Sequence, residues 1–196
     1  MSNRNFDMEN VLTYNELTER FTDGNLVDDS YMAPVKQMLK AMSGFSVKYQ
    51  AELAALKLSL IRPIECVSLN SLFDAETVRD IKRYVRPAEK NCFADAFRTA
   101  DLLGQDGVEY CEGYMIVYGI PIEHAFNSYN GSFFDVTREI SGGDDVTKNQ
   151  YVFLKSWDAE SAMRIMAADS MQTYGEVFDK EFLLGHKNLI KSNLPL

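Results

Sequence analysis

Basic charge is scarce in this chain. Its 196 residues carry 20 Lys and Arg against 29 Asp and Glu, a formal net charge of −9. Phosphate recognition needs clustered Lys and Arg, so nucleic acid and anionic membranes are not expected as main partners. Cysteine is equally sparse. Cys66, Cys92 and Cys111 are too few and too scattered for a disulfide framework. No C-x-x-C pair exists and there are only two histidines, which argues against a structural zinc site. No apolar run approaches the length of a membrane span. The first 21 residues, MSNRNFDMENVLTYNELTERF, lack the apolar stretch of a signal peptide. These absences lead us to expect a protein of a reducing cytoplasm, bacterial or of a host cell if phage-encoded, with no membrane and no nucleic-acid partner. Cofactor motifs are missing as well. Gly119-Ile120-Pro121 is no phosphate cradle, and Gly142-Gly143-Asp144-Asp145 lacks the ligand spacing of a calcium loop. No cofactor and no resident metal are expected.

What is present is 46% apolar residues, enough for one domain with a substantial core. The stretches APVKQMLKAMSGF and VKYQAELAALKLSLI repeat apolar residues at helical spacing, and Pro63 closes them. Asp74 is a candidate N-cap for a helix carrying Val78, Ile81 and Val85 in phase, which Pro87 ends. After Cys92 the pattern changes. Residues 108–120 alternate and are rich in Tyr, Val and Ile, as a strand requires; Tyr110, Tyr114 and Tyr118 at period two read as one packed face. Pro121 interrupts, and EHAFNSY and SFFDVT then flank Asn130-Gly131. QYVFLKSW (150–157) is a further strand, and Asp158 caps a closing helical region. His186 falls near the end of that region, as a helix cap or an exposed side chain. The order gives an α+β fold. We read residues 1–196 as one domain: a helical region over 1–87, a cysteine-bearing helix plus antiparallel sheet over 88–157, and a helical region over 158–196.

Asn-Gly between two strand-like runs signals a two-residue hairpin. With Asn130 and Gly131 as the loop, Tyr129 faces Ser132, and each outward step keeps the paired numbers summing to 261. Side chains alternate across a strand, so His124, Phe126 and Ser128 share a face with Phe133, Asp135 and Thr137. Asp135 then lies diagonal to His124, within reach of one hydrogen bond. An Asp beside a His fixes the imidazole tautomer and stabilises the imidazolium. Such a base needs a nucleophile. Cys92 opens the helix expected over 91–103, where unpaired N–H groups and the helix dipole favour a thiolate. Ala96 and Ala100 lie on the same helical face and permit close packing on the sheet. The backbone N–H of Cys92 and the side chain of Asn91 are candidate oxyanion donors.

These strings resemble the transglutaminase-like branch of the papain-like cysteine proteases and amidases, including bacterial and phage proteins with a similar "EGY … HAW … NG … D-T" run. The match lies in NCFADA and in YCEGYMIVYGIPIEHAFNSYNGSFFDVT, with 124 − 92 = 32 residues from Cys to His and 135 − 124 = 11 from His to Asp. It covers roughly residues 90–140. The resemblance implies a papain-like core, a Cys92-His124-Asp135 triad, and an amide or peptide substrate attacked by the thiol. Phe126 replaces the Trp usual after His-Ala, at a position tied to substrate packing.

Other readings stay open on sequence alone. Cys92 could be a packed thiol, His124 a half-buried strand residue and Asp135 a turn cap. A chain with this fold could also act as a binding or effector protein that sequesters a partner without turnover. Cys92, His124 and Asp135 could instead share a metal ion. Cys111 reads as core, and Cys66 has nothing nearby to activate it.

Overall fold

A computed structural model describes residues 30–44, 48–143, 145–168 and 176–185. A five-stranded antiparallel sheet, ordered β1-β5-β2-β3-β4, organises the molecule. Its strands are β1 (Arg62–Ile64), β2 (Glu109–Val117), β3 (Ile120–Tyr129), β4 (Ser132–Phe134) and β5 (Gln150–Trp157). The helices are α1 (Ala33–Ser43), α2 (Lys48–Leu60), α3 (Leu69–Leu72), α4 (Ala75–Asp80), α5 (Cys92–Leu103), α6 (Ala159–Ala167) and α7 (Val177–Gly185). The α+β class is the one expected. Expectations for His186 and for the chain before residue 30 lie outside the described residues, as does Asp144.

Local chemistry accounts for the element ends. Asp74 Oδ1 accepts the Thr77 N–H at 2.8 Å and Asp158 Oδ1 accepts that of Ser161 at 2.7 Å, so both expected caps form. A five-residue π-helical turn (Ile81–Val85) extends α4 and keeps Val78, Ile81 and Val85 buried. Pro63 does not simply close a helix. It sits within β1, the sheet's outer strand, paired across from Val152. An outer strand has one face of backbone without a partner, so a missing N–H is tolerated there. The region expected to be wholly helical therefore contributes a strand.

Two tight hairpins shape the centre. Tyr118 and Gly119 (φ 50° and 78°) join β2 to β3, and Asn130 and Gly131 (φ 50° and 81°) join β3 to β4. Positive φ at both loop positions is the type I′ geometry that matches strand twist. Tyr118 is thus a fully exposed turn residue, whereas Tyr110 and Tyr114 are buried as expected. Pro121 does not interrupt β3. Val117 and Ile120 close the first hairpin, so Pro121, one step out, points its nitrogen away from β2. β4 does not extend that far, and no ladder bond is lost.

The sheet has two differently covered faces. Ala125, Tyr110 and Tyr114 join the main core with Ala96, Ala100 and Phe97 of α5. Phe126, Cys111, Met115 and Tyr151 form a smaller core on the other face with Cys66 and Phe133. Gly113 marks the tightest point. The β2–β5 register shifts between Glu112 and Gly113, and a Cβ at Gly113 would stand 1.9 Å from the Val152 carbonyl oxygen. Only glycine allows that approach, which lies directly across β2 from His124.

Candidate active site

The β3–β4 register follows from the Asn130-Gly131 turn. Tyr129 pairs with Ser132, Ser128 with Phe133 and Asn127 with Phe134, each pair summing to 261. There the ladder stops. Asp135 has left the strand, and Thr137 begins a π-helical turn (Thr137–Ser141) where strand had been expected. Leaving the ladder brings Asp135 to His124. His124 Nε2 and Asp135 Oδ2 are 2.6 Å apart, with side-chain exposures of 5% and 1%.

Asp135 is held from both ends. Its Oδ2 also accepts the Tyr151 hydroxyl at 2.9 Å, and its Oδ1 accepts the Arg138 N–H at 3.0 Å. Burial of the His124 ring opposes charging it. The adjacent Asp135 carboxylate and its hydrogen bond outweigh that penalty, with Cys92 adding a hydrogen-bonding and a charge contribution. The net effect raises the imidazole affinity for a proton well above its ordinary value. Nε2 is committed to Asp135, which leaves Nδ1 as the second ring nitrogen. Burial and the Asp135 charge push the Tyr151 phenol upward, so it stays a neutral donor.

Cys92 is the first residue of α5 and is half-buried. Its N–H lies in the first turn, where no intrahelical acceptor exists. Ala96 and Ala100 are buried as the helix seats on the sheet, and Asn127 Nδ2 clasps it by donating to the Ala96 carbonyl at 2.8 Å. The other two cysteines are buried core. Burial raises the Cys66 thiol far above its ordinary value and the Cys111 thiol to about 12, which leaves both inert.

Asn91 precedes Cys92, but its side chain has another partner: Nδ2 donates to Asp95 Oδ1 at 2.8 Å. Phe126 is fully buried, with its ring stacked 6.5 Å from that of His124 and edge-on to Tyr151. It touches the imidazole from the core, a wall behind the base and not a surface open to a ligand.

Two residues that sequence reasoning did not single out complete the arrangement. Tyr151 is one. The other is Asp95, fully buried in the first turn of α5. Its Oδ2 accepts the Ala88 N–H and the Thr137 hydroxyl, both at 3.0 Å, while Oδ1 takes Asn91. One carboxylate therefore ties the segment before Cys92 to the turn after Asp135. An Asp four residues beyond Asn91, in a first helical turn, was the only signal available.

Among the described residues no group of three or more His, Cys, Asp and Glu is placed to hold a metal ion, and no helix is long and apolar enough to cross a membrane. No protein-family model, curated protein or solved structure matches the chain.

Proposed function

We propose that this chain is a cysteine-nucleophile acyl-transfer enzyme acting on an amide bond, in the manner of a peptidase, amidase or transglutaminase with a papain-like core. The observation that carries this reading is the buried 2.6 Å His124–Asp135 pair, in a chain whose half-buried Cys92 heads α5. The reacting species is the Cys92 thiolate beside the His124 imidazolium. The Cys92 sulfur attacks the carbonyl carbon, and the oxyanion that forms faces the Cys92 N–H. Collapse breaks the C–N bond while His124 Nδ1 gives its proton to the departing amine. Neutral His124 then takes a proton from water, or from an acceptor amine. That nucleophile attacks the thioester and restores the thiolate–imidazolium pair. Asp135 keeps Nε2 protonated throughout and so holds Nδ1 toward the sulfur.

The test is alkylation of the native protein by iodoacetamide near pH 6. Cys92 is expected to label at least about tenfold faster than an unactivated thiol, whose reactive fraction at that pH is small. His124→Ala should abolish the difference. Labelling no faster than a free thiol, or a rate unaffected by His124→Ala, would overturn the proposal.

A further inference from the structure

The far end of the sheet holds a second site. A hollow of about 310 Å³ opens beside the Asn130-Gly131 turn, lined by Arg62, Glu109, Ser128, Phe133, Phe153 and Ser156 among others. Ser128 is four residues along β3 from His124, roughly 13 Å at the strand rise, so the hollow is separate from the Cys92 site.

Two opposite charges line it without pairing to each other. The Arg62 guanidinium carbon lies 4.7 Å from the Phe153 ring centre and 5.5 Å from that of Phe133. Both rings flank the guanidinium, and among the described residues its N–H groups have no hydrogen-bond partner. Glu109 is steadied by the Ser128 hydroxyl, which donates to Oε2 at 3.1 Å, and its other oxygen is uncommitted. Among the described residues no carboxylate comes within ion-pairing distance of Arg62, and no cation within that distance of Glu109.

A guanidinium fork and a carboxylate on one small hollow, each held by neutral neighbours, suit a ligand bearing both a carboxylate and an ammonium. We infer that this hollow binds a free α-amino acid with an apolar side chain: carboxylate on Arg62, ammonium on Glu109 and Ser128, side chain against Phe133 and Phe153. A ligand with only one charge would leave the opposite protein charge uncompensated or repelled. The volume is at the small end of ligand pockets, which limits the occupant to a molecule of this scale.

The experiment compares three probes by backbone-amide NMR titration of the full chain: L-leucine, 4-methylpentanoate (leucine without its ammonium) and 3-methylbutylamine (leucine without its carboxylate). L-Leucine is expected to perturb Gly107, Asn130 and Gly131 saturably and to bind at least roughly tenfold tighter than either half-ligand, the discrimination of one charge-assisted hydrogen bond. Arg62→Gln and Glu109→Gln should each weaken L-leucine by about the same factor, and Arg62→Lys should recover part of the loss. Cys92→Ala should bind L-leucine unchanged, so the result is independent of the acyl-transfer reading. No saturable binding of L-leucine, equal binding of the three probes, or indifference to both glutamine variants would overturn the inference.

Discussion

Asp135→Asn is nearly isosteric and removes one charge. In the native protein Oδ2 accepts from His124 and Tyr151, and Oδ1 accepts from the Arg138 N–H. An amide cannot accept at both ends. If its NH₂ replaces Oδ2, it meets two donors; if it replaces Oδ1, it meets the Arg138 N–H. Leaving one buried donor unpaired costs about 1–3 kcal/mol. The electrostatic loss is larger. Asp135 is the main influence raising His124 from 6.5 to about 10, a difference on the order of 5 kcal/mol. Without that charge, burial is the largest influence left on the ring and pulls its titration downward. Because the folded value is raised, the stabilisation is complete below the unfolded pKa and is lost as pH rises through about 10. The stability gap between wild type and Asp135→Asn should thus be greatest near pH 6 and shrink on the alkaline side. The direct assay is the NMR titration of the His124 ring, assigned with a His186→Gln control. Wild-type His124 should remain protonated through pH 8, and the variant ring should be neutral at pH 7. A wild-type midpoint at or below 6.5, or a variant midpoint within one unit of wild type, would refute the reasoning.

Three further outcomes can be checked. Gly113→Ala places a methyl group within 1.9 Å of the Val152 oxygen, so the β2–β5 seam must shift; a loss of several kcal/mol is expected in chemical denaturation, with His124 reactivity lost alongside. Asp95→Asn unsettles the bonds to Ala88, Asn91 and Thr137; it should cost about 2–3 kcal/mol and slow Cys92 alkylation, and a variant that loses stability at an unchanged labelling rate would show that Asp95 does not position the thiol. Lys57, with its side chain 6% exposed, bridges Glu123 at 3.3 Å and Asp179 of α7 at 2.6 Å; Lys57→Met strands the half-buried Asp179 carboxylate and should destabilise by about 1–3 kcal/mol, lowering the melting temperature by about 2–12 °C.

How legible these features were depended on how local their causes are. The Asn130-Gly131 register could be read because a type I′ turn fixes pairing within a few residues. The caps at Asp74 and Asp158 are similarly local, each one side chain bonding three residues on. β1 was hidden because Arg62–Ile64 is three residues long and its pairing depends on β5, about ninety residues away. Extending β4 through Thr137 was the natural reading of an alternating SFFDVT. It overlooked that a carboxylate with three donors around it is better served outside the ladder. Tyr151 and Thr137 gave no signal, since their partners lie 16 and 42 residues distant and neither contact leaves a periodicity in the chain.

The wiring of the site explains why the Cys92 helix and the acid segment act together. Two buried carboxylates divide the work. Asp135 binds the imidazole, a tyrosine and the start of its own turn. Asp95 binds the chain ahead of the cysteine, the side chain next to it and that same turn through Thr137. The π-helical turn at Thr137–Ser141 is the shared member, one residue beyond Val136 and two beyond Asp135. A shift of that turn changes the distance from acid to base and from α5 to the acid together. A second seam meets this one across β2, where buried Glu112 accepts the Tyr110 hydroxyl at 2.6 Å and the first N–H groups of α7, from Val177 and Phe178, at 2.7 and 3.0 Å. Glu112 adjoins Gly113, the residue opposite His124. The sequence-adjacent pair Glu112-Gly113 therefore does two jobs: the carboxylate fastens the C-terminal helix, and the missing side chain lets β5 close behind the strand that holds the base.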